Sequence, residues 1–253
     1  MLEEFASQVF WLNLLKIIGV NIILSGDNAV VIALAARSLP QRQQKAAVLW
    51  GSGAAVLMRI ILTVFAVALL TLPWLKIIGS LLLFWIGIKL LVPEDADEDI
   101  SASDNLMAAI KTILIADLVM SIDNVIAVAA AAQGSLTLLI LGLGISIPLV
   151  IFGSTMLLHL MERWPVIITI GGGLLGFVAG EMLVTDPALK GWLTGLGVAF
   201  EGEKPMVGGI SLEIIVGLVG AVIVIAIGTL IGKRRAMKAA VHDAAVQADR
   251  PKS

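Results

Sequence analysis

Seven long apolar segments constrain the fold of this chain more than any other feature. Each has roughly the 20 mostly apolar residues that an α-helix needs to cross the hydrocarbon core of a bilayer. Of its 253 residues only 14% are charged, against about 25% in a typical soluble domain. The segments are residues 10–36, 46–71, 74–92, 107–132, 136–160, 165–185 and 211–232. The sequence therefore predicts an all-α polytopic membrane protein with seven transmembrane helices. Residues 1–232 would form a single transmembrane domain, followed by a tail at 233–253.

Basic residues at the segment ends predict the orientation of the chain. Cytoplasmic loops carry an excess of Lys and Arg close to the membrane. Such residues follow the first, fifth and seventh segments: Arg37, Arg42, Lys45, Arg163 and the basic run 233–238. These three ends share one side of a seven-helix chain. We therefore expect the N-terminus outside and the basic tail in the cytoplasm.

A short polar motif occurs twice, in the first and fourth segments. "SGDN" at 25–28 returns as "SIDN" at 121–124. With the two aspartates aligned, the matched pairs are Ser25 with Ser121, Asp27 with Asp123, Asn28 with Asn124 and Asn21 with Asp117. Two units of three helices, at about 10–92 and 107–185, would have opposite orientations because three is odd. Inverted repeats with polar sites near the midplane are typical of secondary transporters. The helix at 211–232 is then an addition to the two repeats.

Three aspartates in the apolar segments need compensation. Asp27, Asp117 and Asp123 each cost about 2.5–3.5 kcal/mol at the centre of a membrane helix on insertion scales. Arg59 is the main intramembrane cation and can pair with only one of them. The other carboxylates therefore require a bound cation or a proton.

Helical geometry leaves two arrangements open for the first motif. At about 100° per residue, Asn21, Ser25 and Asn28 share one stripe, and Asp27 lies about 100–120° away from it. One arrangement is a break in the helix at Gly26, because glycine adopts unusual backbone angles. In the other the helix continues, Asp27 faces the site, and the serine and asparagines bind neighbouring helices.

The available donors predict a hard divalent cation as the ligand. The chain has no cysteine, and its apolar segments offer carboxylate, amide and hydroxyl oxygens, which suit Mn²⁺, Ca²⁺ and Mg²⁺. Glu181 is a candidate for the outer mouth of a transport path or for an interfacial carboxylate. We expect no nucleic-acid partner, because basic residues cluster only in the tail.

The segments "LSGDNAVVIALAARSLP" and "ADLVMSIDNVIAVAAAA" resemble the two acidic motifs of the TerC family of integral membrane proteins, and especially its YjbE-like branch. The resemblance implies that the chain belongs to the LysE superfamily of exporters. It implies a divalent-metal exporter of the plasma (bacterial inner) membrane, with Mn²⁺ as the first candidate. The metal is cargo, so the resemblance implies no resident cofactor and no enzyme activity.

The same resemblance implies a metal path through both motifs. Its residues are Asp27, Asn28, Asp117, Asp123 and Asn124. Asp27 and Asp123 would bind the ion, one from each repeat, while Asp117 either joins them or carries a proton. Accessory residues would be Asn21, Ser25, Ser121, Arg59 and Glu181. The partners are the metal ion and the bilayer, and a homo-oligomer is one option for the assembly.

Three other functions remain open at the level of sequence. The first is transport of Ca²⁺ or another divalent cation through the same oxygen ligands. The second is export of an amino acid, with Arg59 binding the substrate carboxylate. The third is an intramembrane aspartyl protease using Asp27 and Asp123 as a dyad, although the chain lacks the G-x-G-D signature of that class.

Overall fold

The computed structural model describes residues 8–24, 26–65, 72–92, 102–132, 135–202 and 204–248. It is mostly helical, as predicted. The helices in chain order are α1 (Gln8–Leu24), α2 (Gly26–Ala36), α3 (Gln41–Val64), α4 (Leu75–Leu91), α5 (Ala102–Ala132), α6 (Leu136–Arg163), α7 (Val166–Val184), α8 (Pro187–Gly195) and α9 (Leu212–Ala248). Three short strands lie between α8 and α9: β1 (Ala199–Glu201), β2 (Lys204–Val207) and β3 (Ile210–Ser211).

Five of the described helices are long and apolar enough to cross a membrane. Their qualifying parts are Gln41–Val64, Asn105–Ile122, Thr137–Arg163, Val166–Val184 and Leu212–Lys238. Two shorter apolar helices, Phe10–Val20 and Gly26–Ala36, together occupy the first predicted segment. Helix α4 has 17 residues and reaches about 26 Å at 1.5 Å per residue. The predicted count of seven spans therefore stays a prediction.

The region around Gly26 bears on the predicted helix break. Helix α1 ends at Leu24 and α2 begins at Gly26, while Ser25 lies outside the described residues. Gly26 is not among the described glycines with positive φ, which are Gly197, Gly202, Gly208 and Gly209. Gly26 thus lies in the first turn of α2, and the predicted break between the two helices stays a prediction. Continuity of the helix through Ser25 stays open.

The helices pack in two groups. Helices α1, α2, α3, α5 and α6 contact one another and form the first group, while α4, α7 and α9 form the second. Contacts of α4 with α5, α2 with α7 and α6 with α7 join the groups. The larger buried apolar cluster draws side chains from α2 to α7, and a second cluster lies among α1, α3, α5 and α6. The third segments of the two predicted repeats, α4 and α7, thus pack with each other and with the additional helix α9.

Glycines allow α7 and α9 to pack backbone against backbone. A Cβ added at Gly176 would lie 2.4 Å from the carbonyl oxygen of Gly220, and one at Gly180 would lie 2.4 Å from that of Val216. Small residues spaced four apart permit this close approach of membrane helices. The additional helix is therefore closely packed into the second group.

The segment between α7 and α9 departs from the all-α prediction. It holds α8 and an antiparallel three-stranded sheet in the order β1-β2-β3. Met206 of β2 pairs with Ala199 of β1 and with Ser211 of β3. Gly208 and Gly209 connect β2 to β3, both with positive φ, as a tight two-residue hairpin turn requires. Helix α9 continues without interruption to Ala248, so the described part of the tail that follows the apolar segment 211–232 is helical.

One buried carboxylate ties this segment to α4. Asp186 is 1% exposed, and its Oδ1 accepts the N–H groups of Ala188 (2.7 Å) and Trp74 (3.0 Å). Its Oδ2 accepts those of Lys76 (3.0 Å) and Ile77 (3.1 Å). These are the unsatisfied amides at the starts of α8 and α4. A single side chain therefore caps two helices and holds the end of α7 against the start of α4.

Candidate functional site

A buried ion pair connects α3 to α5. Arg59 on α3 is 3% exposed and Asp117 on α5 is 6% exposed. The Nη2 atom of Arg59 lies 2.5 Å from Oδ1 of Asp117. Opposite charges at membrane depth offset each other's insertion cost. Arg59 therefore compensates the charge of Asp117. The sequence predicted that Arg59 pairs with one of three aspartates but did not indicate which one.

Ser121 closes this ion pair into a three-residue network. Its hydroxyl is fully buried, accepts a hydrogen bond from Nε of Arg59 at 3.0 Å and donates to Oδ2 of Asp117 at 3.1 Å. Asp117 and Ser121 share a face of α5 because they are four residues apart. The guanidinium thus contacts both side chains with two of its nitrogens. We call Arg59, Asp117 and Ser121 the arginine network.

Asp27 lies close to the arginine network. It is in the first turn of α2, partly buried, and interacts electrostatically with both Arg59 and Asp117. Its Oδ1 accepts the backbone N–H of Asn28 at 2.8 Å. Asn28 itself is 3% exposed. The structure therefore brings two of the three predicted aspartates and the predicted arginine into one neighbourhood.

Several predicted site residues have side chains outside the described part of the chain. Asp123 lies on α5, but its side chain is not described, and the same holds for Asn21 on α1. Asn124 is partly buried on α5 and interacts with other groups. Asp123 lies about 9 Å along the helix axis from Asp117. The structure places the second motif on the helix that carries the arginine network, and the contacts of Asp123 stay a prediction.

The described side chains do not by themselves form a metal cage. Among them, no group of three or more Asp, Glu, His or Cys residues is arranged to hold an ion. Asp27 and Asp117 come together, but Arg59 compensates one of them. A divalent site at this place therefore needs donors from Asp123 or from residues such as Ser25.

One further predicted residue, and a methionine next to the second motif, have clear positions. Glu181 is partly buried near the end of α7, in the second helix group. Met120, next to the second motif, is 2% exposed and belongs to the larger apolar cluster, so the structure gives it a packing role.

The structure also shows a buried hydroxyl that the sequence prediction missed. Ser52 on α3 is 1% exposed, and its Oγ has no hydrogen-bond partner among the described residues. It lies seven residues before Arg59, on the same face of α3 because seven residues make almost two turns. A serine between glycines in an apolar segment resembles ordinary small-residue packing, so the sequence carries no signal that singles it out.

Together these features define a helical membrane protein with a charged network buried between its helices. Comparison with known proteins gives the family: residues 6–236 match the Integral membrane protein TerC family, and the chain belongs to it. The uncharacterized membrane protein YjbE of Bacillus subtilis (strain 168) is 45% identical over 181 residues, 72% of this chain and 83% of that protein.

Two further relatives come from the same organism. The uncharacterized membrane protein YceF is 26% identical over 190 residues, 71% of this chain and 74% of the relative. The uncharacterized membrane protein YkoY is 29% identical over 192 residues, 67% of this chain and 58% of the relative. No solved structure matches. The family membership indicates membrane transport.

Proposed function

We propose that this chain exports a divalent metal ion, with Mn²⁺ as the first candidate, across the plasma (bacterial inner) membrane. The observation that carries the proposal is the charge distribution around Asp27. This carboxylate lies partly buried at the start of an apolar helix, beside a second carboxylate that Arg59 already compensates. Asp27 is thus the described carboxylate of this neighbourhood that would bind a cation while the ion pair stays intact.

The charge balance favours a divalent ion. Asp117 and Arg59 together are neutral, so Asp27 and Asp123 contribute two negative charges in this proposal. Carboxylate, amide and hydroxyl oxygens are the ligands that Mn²⁺, Mg²⁺ and Ca²⁺ prefer. Asn28 and Asn124 would supply amide oxygens next to each aspartate, with Asn21 and Ser25 as accessory donors.

Arg59 has a second role in this proposal. It attracts Asp27 as well as Asp117, so it partly compensates the binding carboxylate when no metal is bound. When the metal binds Asp27, Arg59 remains attached to Asp117 and Ser121. The fixed guanidinium would then lower the affinity for the ion and favour its release, as a transporter requires.

The packing suggests which parts would move during transport. The first helix group carries Asp27 and the arginine network, and the second is held together by the close contact of α7 and α9. We propose that the first group rocks against the second to expose the site on alternate sides. The moving units are then these two groups and not the two consecutive repeats predicted from sequence.

Transport by variants in proteoliposomes tests the function. Wild-type protein is expected to move Mn²⁺ into vesicles that contain a metal-sensitive dye. Asp27→Asn and Asp123→Asn each remove a charged ligand, so transport should fall by about tenfold or more. Glu201→Gln, a similar change at an exposed strand residue, is the matched control. Wild-type transport by both aspartate variants would refute the proposal.

The same assay separates the alternatives. Ca²⁺ transport at rates equal to Mn²⁺ would broaden the substrate to divalent cations in general. An amino-acid substrate would have to displace Asp117 from Arg59 to bind its carboxylate there, so the 2.5 Å ion pair weighs against it. An aspartyl protease mechanism assigns no role to the buried Arg59–Asp117 ion pair.

A further inference from the structure

A cavity of about 370 Å³ lies where four helices meet at one end of the molecule. It is bounded by the end of α2, the end of α4, the start of α5 and α9 at its basic run. Three cations line it, Arg37, Lys89 and Arg235, and the described lining residues include no acidic side chain. The volume lies within the range of about 300–1,000 Å³ that is usual for ligand sites. The cavity is lined by different residues from the arginine network, so it is a second candidate site.

The lining divides into a polar part and an apolar part. The cations and the side chains of Asn105 and Thr112 form the polar part. Most of the rest is apolar, including Leu34, Leu39, Ile88 and Ile231. A small inorganic anion would make no favourable contacts with these apolar side chains. The lining therefore fits a molecule that has both an anionic group and hydrocarbon.

The rim of the cavity has features of a membrane interface. Trp85 is 58% exposed, and Nζ of Lys89 lies 5.4 Å from the centroid of its ring. Tryptophan and lysine side chains of this kind are common where headgroups meet the hydrocarbon core. Arg37 is fixed by a 2.8 Å hydrogen bond from Nη2 to the carbonyl oxygen of Leu90. Its guanidinium is therefore held at the cavity.

We propose that this cavity binds an anionic phospholipid, with the phosphate at Arg37, Lys89 and Arg235 and an acyl chain along the apolar wall. Basic cavities between helices at the membrane surface suit such headgroups. The positions of the cations follow the basic helix ends that predict the cytoplasmic side. The lipid would connect the first helix group, through α2 and α5, with α4 and α9 of the second. This inference does not depend on the proposed metal transport.

The acidic segment at residues 93–100 is the competing occupant. It follows Val92, a lining residue, and carries Glu94, Asp95, Asp97, Glu98 and Asp99. These carboxylates could neutralise the same cations. A variant with all five changed to the corresponding amides distinguishes the two occupants.

Native mass spectrometry of the full chain in detergent, with phosphatidylglycerol or phosphatidylcholine added, tests the proposal. Each Lys or Arg near an anionic lipid surface contributes roughly fivefold in affinity. Phosphatidylglycerol should therefore bind about tenfold or more tightly than phosphatidylcholine. Lys89→Gln with Arg235→Gln should remove most of that preference, whereas Lys89→Arg with Arg235→Lys should keep it.

The matched control is Lys233→Gln with Arg234→Gln. Both residues are exposed on α9 and do not line the cavity, so the preference should change less than about twofold in this variant.

An equal loss of lipid preference in both glutamine double variants would mean unspecific attraction to the basic tail. Displacement of the lipid by glycerol phosphate at equal concentration would assign the site to a free phosphate. Binding seen only after the five acidic residues are neutralised would assign the cavity to the acidic segment. Each of these three results would overturn the proposal.

Discussion

Arg59 on α3 and Asp117 on α5 form a buried ion pair with 2.5 Å between Nη2 and Oδ1. Ser121, one turn further along α5, binds both partners. The pair joins the two helices at the place where Asp27 of α2 also interacts. It therefore fixes the geometry and the net charge of the neighbourhood in which we place the metal ion.

Substitution of Arg59 alone should lower the free energy of unfolding more than substitution of both Arg59 and Asp117. Arg59→Met leaves the carboxylate of Asp117 buried without its cation, which typically costs about 3–5 kcal/mol. The double variant Arg59→Met with Asp117→Leu leaves no buried charge at this place and should recover most of that loss. Reversible unfolding in mixed detergent measures the free energy of each variant. Losses that simply add would show that the two side chains are not coupled.

Asp27→Asn and Asp117→Asn should separate binding from stability. Asn at position 27 can still accept the N–H of Asn28. The free energy of unfolding of Asp27→Asn should therefore stay within about 1 kcal/mol of wild type. Asn at position 117 weakens the contact with Arg59 and should lower stability. Calorimetric titration with Mn²⁺ should show the larger loss of affinity for Asp27→Asn. Equal stability losses in both variants would contradict these separate roles.

The sequence predicted the helices better than their packing. Apolar length is fixed by the thickness of a bilayer, and for this reason helices such as α6 and α7 coincide with predicted segments to within a few residues. The sheet at 199–211 was missed, since strands of two to four residues are too short to show alternation. The adjacent glycines Gly208 and Gly209, which are typical of a hairpin turn, were the sequence signal that could have indicated this sheet.

The site was predicted in its residue types but not in its pairing. The cost of intramembrane charge singled out Asp27, Asp117 and Arg59 without any structure. Which aspartate binds Arg59 depends on how α3 and α5 are rotated against each other, and apolar filler residues do not encode that rotation clearly. The double-capping role of Asp186 had a partial signal, because Asp followed by Pro is a common helix start. Its second helix is more than a hundred residues away in the chain.

The close contact of α7 with α9 should make two glycines sensitive to a single methyl group. A Cβ at Gly176 would approach Gly220 O to 2.4 Å, and a Cβ at Gly180 would approach Val216 O equally closely. Alanine at either position should therefore cost about 1–3 kcal/mol through overpacking. Gly144, on α6 with no atom within 4 Å of an added Cβ, is the control, and Gly144→Ala should be neutral or stabilising. Thermal unfolding of the three variants measures the difference, and equal behaviour would contradict direct backbone contact.

Asp186 should stabilise the fold through its two acceptor oxygens and not through the volume of its side chain. Asp186→Asn keeps the volume but turns an NH₂ group toward two of the four N–H donors that the carboxylate accepts. Loss of a helix cap typically costs about 0.5–2 kcal/mol, and here the starts of both α4 and α8 lose acceptors. We expect lower thermal stability and faster proteolysis within residues 187–211, while Glu201→Gln in the same segment stays close to wild type. Because Asp186 lies outside both acidic motifs, Mn²⁺ affinity measured below the unfolding temperature should not change. Wild-type stability of Asp186→Asn would mean that other groups satisfy these amides.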